Sequence, residues 1–331
     1  MAERAIHQVI VDTDPGIDDA MAILFLRGRA DVELRALTTV FGNADIATTT
    51  RNALYLVERF GLDVPVYRGA ADPLVAKRRP GAAHVHGRDA FGDTNLAAGF
   101  AGQPAAEPAH AAIIRLVRAQ PGAVSILAIG PLTNLALAIR QDPGIAPLVR
   151  EVVVMGGAFG HGSRRGNVSP VAEANIAGDP HAADLVLTAP WPVTMVGLDV
   201  TSACIFPAAR ARDMAGSGAA GQFLWDISRG YEALYREHDG LDGACLHDVA
   251  AALRLVEPEL FETVRGPIRV VPDGIAAGQT IQKPEALSFP PGGWDGLPSQ
   301  QVCVRVDPQP LLAAYEKAIT ESDRVPALKD G

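Results

Sequence analysis

Cysteine is scarce in this 331-residue chain. Cys204, Cys245 and Cys303 stand far apart, are odd in number and form no CxxC pair. That usage argues against a disulfide framework and against a zinc–thiolate site. Positive charge is also in deficit: 29 Lys and Arg face 38 Asp and Glu, a formal net charge of −9. A phosphate-backbone binder presents a basic face, so nucleic acid is not expected as a partner. No apolar run reaches the length that spans a bilayer, and the opening Met1-Ala2-Glu3-Arg4-Ala5-Ile6 lacks the apolar core of a signal peptide. The expectation is a cytoplasmic protein with no membrane partner. With 48% hydrophobic residues, the chain is large enough to bury a sizeable core.

What is present is alternation. Short β-branched runs at residues 6–11, 32–40, 64–67, 124–129, 151–155 and 193–198 read as strands. Between them, residues 18–27, 44–60, 105–119, 132–140 and 180–187 carry helical spacing. This pattern predicts an α/β fold: an open, doubly wound, mixed sheet with a mostly parallel core and helices on both faces. Beyond residue 200 helical spacing dominates from 207 to 256, with a break near 239–243. Strands at 268–271 and 302–306 and a helix at 311–320 follow. Residues 77–100, 156–175 and 283–298 read as long loops, which in a compact domain are often functional. No repeat, charge block or linker divides the chain, so one domain over 1–331 is expected.

In doubly wound sheets, ligands bind beyond the carboxyl ends of the strands. The first strand leads into Asp12-Thr13-Asp14-Pro15-Gly16-Ile17-Asp18-Asp19, four aspartates in eight residues. Each close pair of like charges costs about 1–4 kcal/mol, depending on the local dielectric. A hard divalent cation offsets such repulsion, because Ca²⁺ and Mg²⁺ take carboxylate and carbonyl oxygens. The bland alternative is a helix N-terminus, where Asp18 and Asp19 complement the dipole and Asp14-Pro15-Gly16 makes a turn. That alternative suits one aspartate better than four. Asn43, Asn134, Asn167, Glu173, Asn175, Asp199 and Thr201 follow other strands, so one rim is dense in oxygen. A second pair, His247-Asp248, opens a helical run. Alone it reads as an N-cap and a helix-end histidine. Beside the first cluster it offers a distant carboxylate and a proton donor.

These residues resemble the inosine-uridine preferring nucleoside hydrolase family. The octapeptide from Asp12 to Asp19 is similar to that family's N-terminal signature. Thr38-Thr39-Val40-Phe41-Gly42-Asn43, Gly130-Pro131-Leu132-Thr133-Asn134, Met155-Gly156-Gly157, Asn167, Glu173-Ala174-Asn175, Asp179-Pro180 and His247-Asp248 fit in family order. The resemblance implies hydrolysis of the N-glycosidic bond of ribonucleosides to ribose and free base, in nucleoside catabolism and base salvage. It implies one Ca²⁺ per subunit, held by Asp14, Asp19, Asp248 and the carbonyl of Ile129. A water and the ribose 2′- and 3′-hydroxyls complete the shell, with Asp14 as general base on that water. Asp18 and Asn175 hold the 2′-hydroxyl, Asn43 lies near the water, Asn167 and Glu173 bind the 5′-hydroxyl, and Met155 packs on the sugar. His247 lies near the base and acts as proton donor. His86 belongs to a mobile loop over the site. The family also implies a homodimer or homotetramer.

The loop after His86 departs from the family: Ala90-Phe91-Gly92-Asp93 stands where a glycine usually precedes the aromatic residue. Tyr231, Tyr235 and His238 are candidates for the base pocket. Trp191, Trp225 and Trp294 are assigned to packing, and Arg164-Arg165 to a solvated pair. Two other readings are weighed. A nucleoside- or ribose-binding regulatory protein of the same fold would bind without releasing base. A metal-dependent phosphatase would fit Asp12 and Asp14, but it lacks basic phosphate ligands near the cluster. Base preference is open at this point.

Overall fold

The computed structural model describes residues 6–322; the ends of the expected 1–331 domain, residues 1–5 and 323–331, lie outside the described residues. Among the described residues, twelve strands occur in chain order: β1 (His7–Thr13), β2 (Val32–Thr39), β3 (Val66–Arg68), β4 (Val124–Ala128), β5 (Glu151–Met155), β6 (Val193–Val196), β7 (Ile205–Pro207), β8 (Gly243–Cys245), β9 (Phe261–Gly266), β10 (Ile268–Val270), β11 (Thr280–Gln282) and β12 (Gln300–Val306). Eight form one sheet, in the order β3-β2-β1-β4-β5-β6-β12-β9. All neighbours in it are parallel except β12 and β9.

The strands are apolar on both sides because both sides are covered. In β1, Val9 and Val11 face one core while Ile10 faces the other. In β5, Val153 and Met155 face the first, and Val152 and Val154 the second. The first face is packed by helices Ile17–Arg27, Ile46–Phe60, Ala219–Asp239, His247–Val256 and Pro308–Ser322. Helices Ala109–Ala119, Thr133–Gln141 and Pro180–Thr188 pack the second. Among the described residues, no helix is long and apolar enough to cross a membrane.

The predicted elements are largely in place, with instructive shifts. β1 runs to Thr13, two residues past the expected end, so Asp12 is paired with Thr38 and Ala128 inside the sheet. The helical stretch expected from 207 to 256 is three helices, Ala208–Ala215, Ala219–Asp239 and His247–Val256, with β8 in the break. β9 was not expected. Its sequence Phe-Glu-Thr-Val-Arg-Gly is mostly polar because it is the edge strand and exposes one face.

One buried side chain ties the late strand β12 to the parallel core. The Gln300 amide donates toward the carbonyls of Leu187, Ala189 and Trp191, and its Oε1 accepts from the Val193 amide at 2.9 Å. Truncation takes a partner from the buried Val193 amide and from these carbonyls, of which Ala189 O keeps the Trp191 amide. Gln300→Ala should therefore lower unfolding stability by about 2–3 kcal/mol. Urea titration checks this, and a loss below about 0.5 kcal/mol would contradict it.

Candidate active site

Strand order reverses at β1. The chain passes from β1 to β2 and β3 on one side, then returns through β4 on the other. This switch point opens a crevice at the carboxyl ends of β1 and β4. The acidic loop fills it between β1 and helix Ile17–Arg27. Asp19 closes the loop on itself: Oδ1 accepts from Thr13 Oγ1 at 2.5 Å and from the Asp14 amide at 3.1 Å. Its Oδ2 accepts from the Gly16 amide and from Asn43 Nδ2. The helix-start reading of Asp19 is therefore correct as far as it goes.

It does not account for the other carboxylates. Asp14 Oδ2 accepts from the Asn43 amide at 2.7 Å, while its buried Oδ1 has no hydrogen-bond partner. The group sits between two glycines. A Cβ on Gly42 would lie 2.0 Å from Asp14 Oδ2, and one on Gly130 would lie 2.6 Å from Oδ1. No other residue leaves room there. Asp18 Oδ1 is buried and unpartnered too, with His86 Nδ1 3.8 Å away. Asp248, in the first turn of helix His247–Val256, arrives from the far side of the fold. Asp18, Asp19 and Asp248 bring carboxylate oxygens within 4.8 Å of one another. Asp14 is not in that threefold group but borders it: its amide donates to Asp19 Oδ1, and Asn43 donates to the carboxylates of both Asp14 and Asp19.

Behind the loop stands Asp12, which accepts from Thr38 Oγ1 at 2.6 Å and Asn134 Nδ2 at 2.8 Å. Asn134 also donates to Thr39 O and accepts from the Ala70 amide. These residues brace the strand ends.

A cavity of about 390 Å³ lies above the carboxylates. On one wall, Glu173 accepts from the amides of Gly157, Asn175 and Ile176. Asn175 Nδ2 donates to the carbonyls of Ile129 and Met155, both at 3.1 Å. Asn167 Oδ1 accepts from the Ala174 amide. Asp18, Asn43, His86, Ile129, Met155, Asn167, Glu173, Asn175, His247 and Asp248 all line this one cavity. Asp14 and Asp19 lie beneath it and are not part of the lining.

On the opposite wall polar groups form a chain. His247 Nδ1 is 2.8 Å from Thr201 Oγ1, and Nε2 is 2.7 Å from Tyr235 Oη. Tyr235 Oη is 3.3 Å from Tyr231 Oη, and the Tyr231 ring stacks on His86 at 5.6 Å. Tyr231 and Tyr235 are four residues apart on helix Ala219–Asp239, one turn, which is what points both into the cavity. His84 and His238 line the cavity as well. Arg164 corrects the solvated-pair expectation: it lines the cavity and pairs with Asp239 at 2.5 Å, while Arg165 is exposed. Asp199 was singled out only as a rim oxygen. It accepts from the amides of Phe159, His161 and Gly162 and so anchors the loop that carries Arg164. Trp191 is buried and Trp225 lies under Arg229, so both pack as expected.

Burial sets the electrostatics. It pushes the Asp12 carboxyl up to about 7 and Asp18 and Asp19 to about 6. Burial, then repulsion from neighbouring carboxylates, holds Asp14 and Asp248 well above the ordinary range. Burial raises Glu173 as well. Desolvation lowers His86 and His247 to about 4, so both imidazoles are neutral at pH 7. Held between Thr201 and Tyr235, the neutral His247 ring offers one N–H, shared with one of those two hydroxyls. Unpartnered buried carboxylate oxygens in an all-oxygen cluster fit a hard cation such as Ca²⁺.

A sign follows for the cation-free protein. These carboxyls have folded pKa values above their unfolded ones, so folding favours the protonated form. The stability this contributes is complete below about pH 4 and is lost as pH climbs through about 6 to 7. In excess chelator, the thermal midpoint should fall between about pH 5 and about pH 7.5. A midpoint that rises over that window contradicts this account.

Comparison with known proteins gives the same direction. The family model for inosine-uridine preferring nucleoside hydrolases matches residues 9–313. A probable uridine nucleosidase from Oryza sativa subsp. japonica is 41% identical over 323 residues, 96% of this chain and 98% of that protein. The inosine-uridine preferring nucleoside hydrolase of Crithidia fasciculata is 37% identical over 278 residues, 83% of this chain and 87% of that protein. The solved structure of a plant nucleoside hydrolase superposes with a TM-score of 0.90 at 37% identity, covering 95% of this chain and 99% of that one. With its parallel sheet, acidic switch-point loop and polar cavity, the chain belongs to the inosine-uridine preferring nucleoside hydrolase family and is an enzyme that hydrolyses ribonucleosides.

Proposed function

We propose that the cavity cleaves the N-glycosidic bond of ribonucleosides in a Ca²⁺-dependent reaction, with Asp14 as general base. The observation that carries this reading is the buried, unpartnered Oδ1 of Asp14 beside the Asp18–Asp19–Asp248 group at the cavity floor. Asp14, Asp19, Asp248 and the Ile129 carbonyl would hold the ion, with Asp18 beside it. Bound there, Ca²⁺ would neutralise the carboxylates and supply Lewis acidity to the attacking water.

Everything else is done by side chains. Asp14 takes the proton of the attacking water. Positive charge grows on the ribose as the bond to the base breaks, and Asp18 and Glu173 supply negative charge to that region. Asn175 and Asp18 orient the 2′-hydroxyl, Asn43 the water, and Asn167 and Glu173 the 5′-hydroxyl, while Met155 packs on the sugar. The departing base needs a proton or strong hydrogen bonds. The hydroxyls of Tyr231 and Tyr235 would give them, with His247 and Thr201 behind them as the relay; the hydrogen-bonded chain of these four side chains supports this reading. A neutral imidazole suits this role, because it can pass one proton in and one out. The names of the rice and Crithidia relatives favour uridine, with inosine as the second substrate.

Asp14→Ala should lower kcat at least a thousandfold while circular dichroism stays unchanged. Chelation should silence the wild type and Ca²⁺ should restore it; full activity of metal-free protein, or near-wild-type turnover by Asp14→Ala, overturns the mechanism. Tyr235→Phe breaks the relay at one atom. It should lower kcat by about 10²-fold, in line with the loss of a general acid, and leave KM for uridine nearly unchanged. An unaltered kcat would remove the relay from the chemistry.

A further inference from the structure

Two loops border this cavity, and one side chain outside it touches both. Asn52 lies on helix Ile46–Phe60 and is fully buried. Its Nδ2 donates to the carbonyl of Pro15, in the acidic loop, at 3.1 Å. The same nitrogen donates to the carbonyl of Asp89, three residues after His86, at 2.9 Å. Both partners are acceptors only, so an amide nitrogen with two hydrogens is the group that satisfies them together.

The His86 segment is itself stiff. The Asp89 carboxylate accepts from the amides of Phe91, Asp93 and Asn95. Ala90, Asp93 and Asn95 have φ of 62°, 58° and 57°, the left-handed region that non-glycine residues rarely occupy. Phe91 is buried against Tyr55 and Phe223. Such a unit moves as a body, so its position depends on where it is tied. One tie is the Ile17 amide, which donates to His86 Nδ1 at 3.2 Å. That bond also fixes the tautomer: with Nδ1 accepting, the neutral ring carries its proton on Nε2. The Ala82 amide donates to Asn43 O, and the Phe91 packing and the His86–Tyr231 stack also hold the segment. Asn52 is the tie that reaches the acidic loop and the segment with one nitrogen.

We propose that Asn52 is a positioning residue, whose amide holds the acidic loop and the His86 segment in register so that this wall of the cavity is in place before the ribonucleoside arrives. The inference rests on the function proposed above. Without the amide, two buried carbonyls lose their donor and the segment is in place only part of the time. Apparent affinity then falls by the fraction in place. Saturating substrate draws the segment into place, so the loss appears in KM and spares kcat.

The test uses Asn52→Leu and, as a shape-preserving second variant that places an acceptor against the two carbonyls, Asn52→Asp. Trypsin reports the loop directly, because the Arg88 side chain is 87% exposed within it. Two buried carbonyls without a donor lower the urea midpoint of either variant as well, so cleavage after Arg88 is compared under conditions where each variant is fully folded. It should speed up at least tenfold, beyond what the change in global stability accounts for and ahead of sites outside the segment. With Ca²⁺ and uridine, KM should rise at least tenfold and kcat should change less than threefold. On a His86→Ala background, Asn52→Leu should raise KM no more than twofold further. Unchanged cleavage after Arg88, a loss confined to kcat, or independent multiplication of the two substitutions overturns the proposal. If the wild type releases no base from any ribonucleoside, the proposed function fails, and cleavage after Arg88 still decides the tether.

Discussion

Like charges packed together out of water are the constraint around which this fold is arranged. Asp14, Asp18, Asp19, Asp248 and Glu173 meet at one edge of the sheet, each raised above the usual carboxylate range by burial. Such an arrangement is unfavourable on its own, and the surrounding structure exists to hold it. Asn43 and the backbone of the acidic loop feed hydrogen bonds to Asp14 and Asp19. The paired glycines Gly42 and Gly130 give Asp14 the space that any side chain would take. Asp12, Thr38 and Asn134 lock the strand ends behind it. A site built this way sacrifices stability to keep an oxygen cluster out of water, an arrangement whose chemistry fits a hard cation.

The sheet makes that concentration possible at little cost elsewhere. Its parallel strands are apolar on both faces, so two helical layers supply the stability while the strand ends are left for polar groups. Helix His247–Val256 packs on one face and delivers both members of its opening pair. Asp248 goes to the carboxylates and His247 to the tyrosines. A single helix start thus connects the carboxylate end of the cavity to the hydrogen-bonded chain on its far wall. Asp199 and Asp89 play matching parts outside the chemistry, each gathering three backbone amides to shape a loop of the rim.

Much of this was legible in the chain. The strand–helix alternation announced the parallel core, because β-branched runs and 3.6-residue spacing are local signals. The acidic octapeptide announced the site, because four aspartates so close need a physical reason. Less local features were not legible. β9 looked polar because an edge strand needs only half of its side chains to be apolar. Arg164 looked solvated because its partner Asp239 is 75 residues further on. The neutral state of His247 depends on desolvation by residues from several elements, and no sequence pattern carries that.

The sequence by itself determined which chemistry is available: carboxylates after a first strand, a His-Asp pair at a distant helix start, amides and glycines at other strand ends. The tertiary structure alone decided how those groups are shared out. It placed Asp18 and Asp19 against Asp248, more than 200 residues apart, and left Asp14 with one free oxygen. It also lined up Thr201, His247, Tyr235 and Tyr231 into a hydrogen-bonded chain. The physical reason is that identity is local, whereas burial, repulsion and hydrogen-bond partnership are properties of groups that only folding brings together.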